Sequence, residues 1–127
     1  MMAYKTDFSR VQGLGRAGDG VHHWWMQRLT SVALVPLTLL FLFPFGRALG
    51  GGYDALIATY GQFGHALTAI LFIGTACWHF SMGLQVVIED YVPSHGTRVV
   101  LIVLTKLFSA TLAVAGILAV ATILFRA

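Results

Sequence analysis

The chain has 127 residues, of which 57% are hydrophobic and only 10% charged, with a mean hydropathy of +0.80. This balance excludes a water-soluble globular domain and marks an all-α integral membrane protein. The formal charge of +3 is small and follows the membrane topology, so it gives no reason to invoke nucleic acid.

The first 22 residues form a polar arm rich in glycine (Gly13, Gly15, Gly18, Gly20), too flexible to fold alone and suited to lying against a soluble partner. No cleaved signal peptide is expected, because the first apolar run starts late and runs long. Nor is the start an Arg/Ser-rich transit sequence, and a bacterial plasma-membrane location follows. Trp24 and Trp25 are placed as aromatic anchors at headgroup level.

Three apolar runs follow, Leu29 to Leu49, Phe63 to Ile88 and Val99 to Phe125. Each meets the requirement of about 20 residues for a spanning helix. Helices are expected at about 24–49, 62–90 and 97–125, as one membrane-anchor domain over 1–127. Three helices enclose little by themselves, so the chain is expected to be one part of a larger heteromeric bundle. Lys5, Arg10, Arg16 and Arg28 precede the first helix and Arg98 follows the second, against Arg47 and Arg126 on the other side. The positive-inside rule puts the N-terminus in the cytoplasm and the C-terminus in the periplasm.

Helix one carries Pro36 and Pro44, which predict a kink or an early finish. Arg28, Ser31 and Thr38 fall at i, i+3 and i+10, a polar face expected to point into the bundle. Arg28 sits at the cytoplasmic end, where a guanidinium suits haem propionates, a quinone oxygen or a lipid phosphate equally. His22 and His23 lie just above it, placed to hold a carboxylate or relay protons. Gly50-Gly51-Gly52 opens the outer loop.

Helix two holds most of the chemistry. His79 lies in mid-run, where an unpartnered imidazole is costly, and axial ligation of a haem iron removes that cost. The plain alternative is an imidazole bonded to a neighbouring helix. Asp90 follows after eleven residues, roughly 16 Å of helix and within about 20° of three full turns, so the two share a face. Gly83, one turn from His79, leaves that face bare, either for a flat macrocycle or for close helix packing. Tyr91 beside Asp90 pairs a phenol with a carboxylate, fit to hydrogen-bond a quinone and pass protons, although tyrosines are also common in interfacial belts. Cys77 is read as apolar filler and His65 as a solvated interface residue.

Pro93-Ser94-His95-Gly96 makes the inner turn. On helix three, Lys106 is close enough to the inner interface to snorkel. Thr105, Ser109, Ala113 and Gly116 form a ridge of small side chains for close contact with a partner anchor or with helix one.

Two segments together resemble a known family. The run His79-Phe80-Ser81-Met82-Gly83-Leu84-Gln85-Val86-Val87-Ile88-Glu89-Asp90-Tyr91 is similar to the H-x10-D-Y signature of the small hydrophobic membrane anchors of succinate dehydrogenase. Gly20-Val21-His22-His23-Trp24-Trp25-Met26-Gln27-Arg28 resembles the lead into the first helix of those anchors, on the alphaproteobacterial and mitochondrial branch. The resemblance covers nearly the whole chain. It implies a subunit of succinate:ubiquinone oxidoreductase with no succinate site of its own. His79 would supply one axial ligand of a haem b shared with a cytochrome b556 subunit. Tyr91 and Asp90 would serve the ubiquinone site, and Arg28 and His22 the region of the propionates and the quinone. FAD and iron–sulfur clusters would sit on partner subunits. A fumarate reductase-type anchor and a haem-free scaffold subunit remain as alternatives.

Overall fold

The computed structural model describes residues 17–126; the expected arm lies outside the described residues up to residue 16, while residues 17–22 are already helical. Four helices account for the described chain: α1 (Ala17–Gly50), α2 (Gly52–Tyr60), α3 (Phe63–Tyr91) and α4 (His95–Arg126). Three are long and apolar enough to cross a membrane, Gly20–Gly50, Phe63–Tyr91 and His95–Arg126.

Pro36 and Pro44 do not end α1, which continues to Gly50. Loss of a backbone N–H is tolerated in a spanning helix when neighbouring helices and side chains re-satisfy the freed groups. The chain then turns through Gly52, whose φ of +78° suits a residue without a Cβ. The outer loop folds into the nine-residue helix α2. At the other membrane face α3 stops at Tyr91 because Val92 precedes a proline and takes an extended conformation (φ −98°, ψ 106°). Arg98 closes this turn by donating from Nε and Nη2 to the Val92 carbonyl at 3.1 and 2.9 Å.

Helix α3 is the centre of the arrangement, with α1 packed along one side and α4 along another. Among the described residues the backbones of α1 and α4 do not approach each other, which leaves a cleft between them. Of the ridge of small residues on α4, expected against a partner anchor or helix one, Gly116 meets α3, and no part of it meets helix one among the described residues. At Gly116 an added Cβ would lie 2.9 Å from Cγ2 of Ile73, so the glycine sets how near the two helices come. Ala66 and Ala69 on α3 are almost wholly buried, again at helix contacts. Phe41 stacks on Phe72 with ring centroids 4.6 Å apart, and Tyr60 of α2 adds to that cluster.

Most large apolar side chains stay exposed, Trp25, Phe43, Leu107 and Phe125 among them. In a chain that spans a membrane this outward surface is solvated by lipid or covered by other subunits.

Candidate functional site

Three contacts set the relative depth of α1 and α3. Thr30 lies beside His79, and Gln27 beside both His79 and Gly83. The helices are antiparallel, so residue numbers at one depth sum to about 110.

Thr30 is buried, and its Oγ1 lies 2.8 Å from the Met26 carbonyl and 3.1 Å from the Gln27 carbonyl. A threonine hydroxyl has a single proton, and here that proton goes back to its own helix. The Oγ1 lone pair is then free to accept from His79 Nδ1, which stands 2.9 Å away. We assign the Nδ1–H tautomer accordingly, which leaves the lone pair on Nε2. The nearest described donor to Nε2 is the Gln27 amide nitrogen at 3.5 Å, a long and weak contact.

This donor set fits an iron porphyrin. An imidazole that gives its Nδ1–H to a fixed oxygen and keeps Nε2 nearly unengaged has the usual arrangement of a metal-ligating histidine. Gln27 is the group that must yield, since its amide fills the space at Nε2. Its own Oε1 is buried without a partner among the described residues, so nothing described pins the amide there. Gly83 is not an open surface: an added Cβ would meet Gln27 Nε2 at 3.5 Å. Of its two readings, close helix packing is the one observed, and a macrocycle could lie there only with Gln27 displaced.

The other sequence-chosen residues fall apart in space. Arg28 is exposed, with its guanidinium carbon 5.6 Å from the Trp24 ring centroid, a cation–π contact. By the antiparallel register it is level with about residue 82, near the depth of His79. Asp90 and Tyr91 are level with about residues 20 and 19, so Arg28 lies roughly 13 Å deeper along the axis than Tyr91. Arg28 and Tyr91 therefore do not meet at one interface, contrary to expectation. Asp90 and Tyr91 end α3 and are exposed, Tyr91 at 82%. His22 and His23 line the cleft between α1 and α4.

Among the described residues the side-chain hydrogen bonds from α1 to α3 come from Gln27 and Thr30, not from Arg28, Ser31 or Thr38. Ser31 only donates to the Gln27 carbonyl on its own helix, at 2.8 Å. The sequence signal for Thr30 was available as a hydroxyl in an apolar run, but nothing in one helix says which of two adjacent polar rows faces its neighbour. Among the described residues there is no cluster of three or more His, Cys, Asp or Glu side chains to hold a free metal ion.

A three-helix chain with a histidine held in this way invites comparison with membrane anchors of respiratory enzymes. Residues 2–125 match the model of the succinate dehydrogenase/fumarate reductase transmembrane subunit. The chain belongs to that family. It is 34% identical over 120 residues to the succinate dehydrogenase hydrophobic membrane anchor subunit of Paracoccus denitrificans, covering 94% of this chain and 92% of that one. The corresponding subunit of Rickettsia bellii is 31% identical, covering 92% and 94%. The succinate dehydrogenase membrane anchor subunit of Reclinomonas americana is 32% identical, covering 74% and 81%. No solved structure gave a significant match. The chain is thus an all-α, multi-pass inner-membrane protein whose relatives are anchor subunits of an oxidoreductase complex.

Proposed function

We propose that this chain anchors a succinate:ubiquinone oxidoreductase in the membrane, supplies one axial ligand of a haem b and forms part of the ubiquinone-reduction site. Its N-terminus and the α3–α4 turn face the cytoplasm, where flavin and iron–sulfur subunits dock. The observation that supports the haem assignment is the Thr30–His79 pair, which occupies Nδ1 and leaves Nε2 with only a long contact to Gln27. The same pair is also the helix-to-helix bond of the plain alternative, so the haem spectrum decides between the two.

When bound, a haem b supplies one-electron redox chemistry inside the bilayer; the protein determines its position and local field. His79 Nε2 would hold the iron, and Arg28, at nearly the same depth, is placed for a propionate once it leaves the Trp24 face. The remaining haem contacts would come from a cytochrome b556 partner subunit. Tyr91 and Asp90, far nearer the inner surface, face the partner side as the quinone contact. There the phenol donates a hydrogen bond to a quinone carbonyl, and the carboxylate beside it passes protons from water. Ubiquinone accepts two electrons and two protons as the substrate of that step. The family model spans fumarate reductases too, but the relatives named above are succinate dehydrogenases, which favours succinate oxidation.

The test is a reduced-minus-oxidised optical spectrum of the purified complex carrying His79→Leu. Loss or displacement of the haem b bands is expected. An unchanged spectrum in an intact complex would refute the ligand assignment.

A further inference from the structure

The cleft between α1 and α4 shares only His22 with the residues considered above for haem and quinone. It has a volume of about 590 Å³ and is lined by His22, His23, Ser81, Gln85, Lys106 and Ser109, together with apolar residues including Gly74 and Ala113. Ser81 and Gln85 follow His79 by two and six residues, so at 100° per residue they lie roughly opposite it on α3. The cleft therefore lies on a different side of α3 from the His79–Thr30 contact.

Its lining is graded along the membrane normal. Contacts of Gly74 with Ile117 and of Gly116 with Ile73 give the register of α3 and α4. Lys106 is then level with about residue 84 and Ser109 with about residue 81. Lys106, Gln85, His22 and His23 thus gather at the end nearer the α3–α4 turn. Gly74 and Ala113 form the deeper, apolar end, with roughly 16 Å of α3 between Gln85 and Gly74. Among the described residues, no carboxylate lines the cleft.

Two atoms of the lining lack what buried polar atoms ordinarily have. Ser109 is 5% exposed, and its Oγ has no hydrogen-bond partner among the described residues; His23 Nε2 is likewise buried and unpartnered among them. Thr111 and Thr122 on the same helix donate to the carbonyl four residues back, at 2.9 and 2.7 Å. Ser109 does not, which leaves its hydroxyl available to something in the cleft.

We propose that this cleft binds an anionic glycerophospholipid, its phosphate at Lys106 and His23, its glycerol oxygens toward Ser109 and one acyl chain along the Gly74–Ala113 end. A full positive charge without a carboxylate in the lining favours an anion over a neutral quinone, and the polar-to-apolar gradient matches headgroup followed by chain.

The purified complex, reconstituted in nanodiscs, is exposed to a photoreactive phosphatidylglycerol or to a phosphatidylcholine with the same photoreactive chain. Preferential labelling of the Lys106–Ala113 segment by the anionic probe, several-fold over the zwitterionic one, is expected. Lys106→Gln should remove that preference, and Ser109→Ala should weaken it. The haem spectrum should be unaffected in both variants, so this outcome is separate from the His79 test. Equal labelling by both lipids, a preference that survives Lys106→Gln, or labelling of the same segment by a photoreactive ubiquinone instead would overturn the proposal.

Discussion

Thr30 Oγ1 and His79 Nδ1, 49 residues apart in sequence, stand 2.9 Å from each other across the α1–α3 contact. Because the threonine proton is held by its own helix, the pair works in one direction, imidazole to hydroxyl. Thr30→Val keeps the shape and removes the acceptor. Outer-shell changes of this kind typically weaken metal binding roughly 10- to 100-fold. We expect easier haem loss from the Thr30→Val complex and altered low-temperature EPR g-values of the haem, with Thr30→Ser restoring both. Identical haem retention and g-values in Thr30→Val would show that the contact is only packing.

Tyr91→Phe removes the phenol oxygen and little else from an exposed position. A net hydrogen bond is worth about 1 kcal/mol, so quinone reduction should slow about fivefold. Electron transfer from succinate to an artificial acceptor at the soluble subunits should continue at the normal rate. A parallel fall in both activities would point to damaged assembly and not to a quinone contact.

Gly116→Ala places a methyl 2.9 Å from Ile73 Cγ2. Overpacking of this kind costs about 1–3 kcal/mol, and the complex should dissociate at lower temperature in detergent. Adding Ile73→Ala should recover part of the loss, a coupling that only direct contact produces. Strictly additive effects would mean that the two side chains do not meet.

Tyr60 is 5% exposed, and its hydroxyl is buried without a partner among the described residues. Burial raises its pKa above the ordinary 10.0, so the neutral phenol is the form that the fold accepts. The sign follows directly. Stability from this group is fully present below pH 10.0 and declines as pH climbs through the higher folded-state value. Tyr60→Phe should leave the complex as stable at neutral pH, or more so, and should blunt its loss above that range. Marked destabilisation at neutral pH would reveal a partner for the hydroxyl.

Membrane character, three spanning helices and the histidine on the second one were legible in the chain itself, because a bilayer demands long apolar runs and penalises every ionisable exception. The register of His79 with Asp90 was legible for a similar reason, since 3.6 residues per turn is a property of one helix. Which row of α1 faces α3 was not. Gln27–Thr30 and Arg28–Ser31 differ by 100° of rotation, and only packing against a second helix selects between them. Likewise Arg28 and Tyr91 both look interfacial in one dimension, yet the antiparallel register puts them at different depths. The cleft between α1 and α4 exists only because α3 holds them apart, a relation among three helices that no single segment encodes.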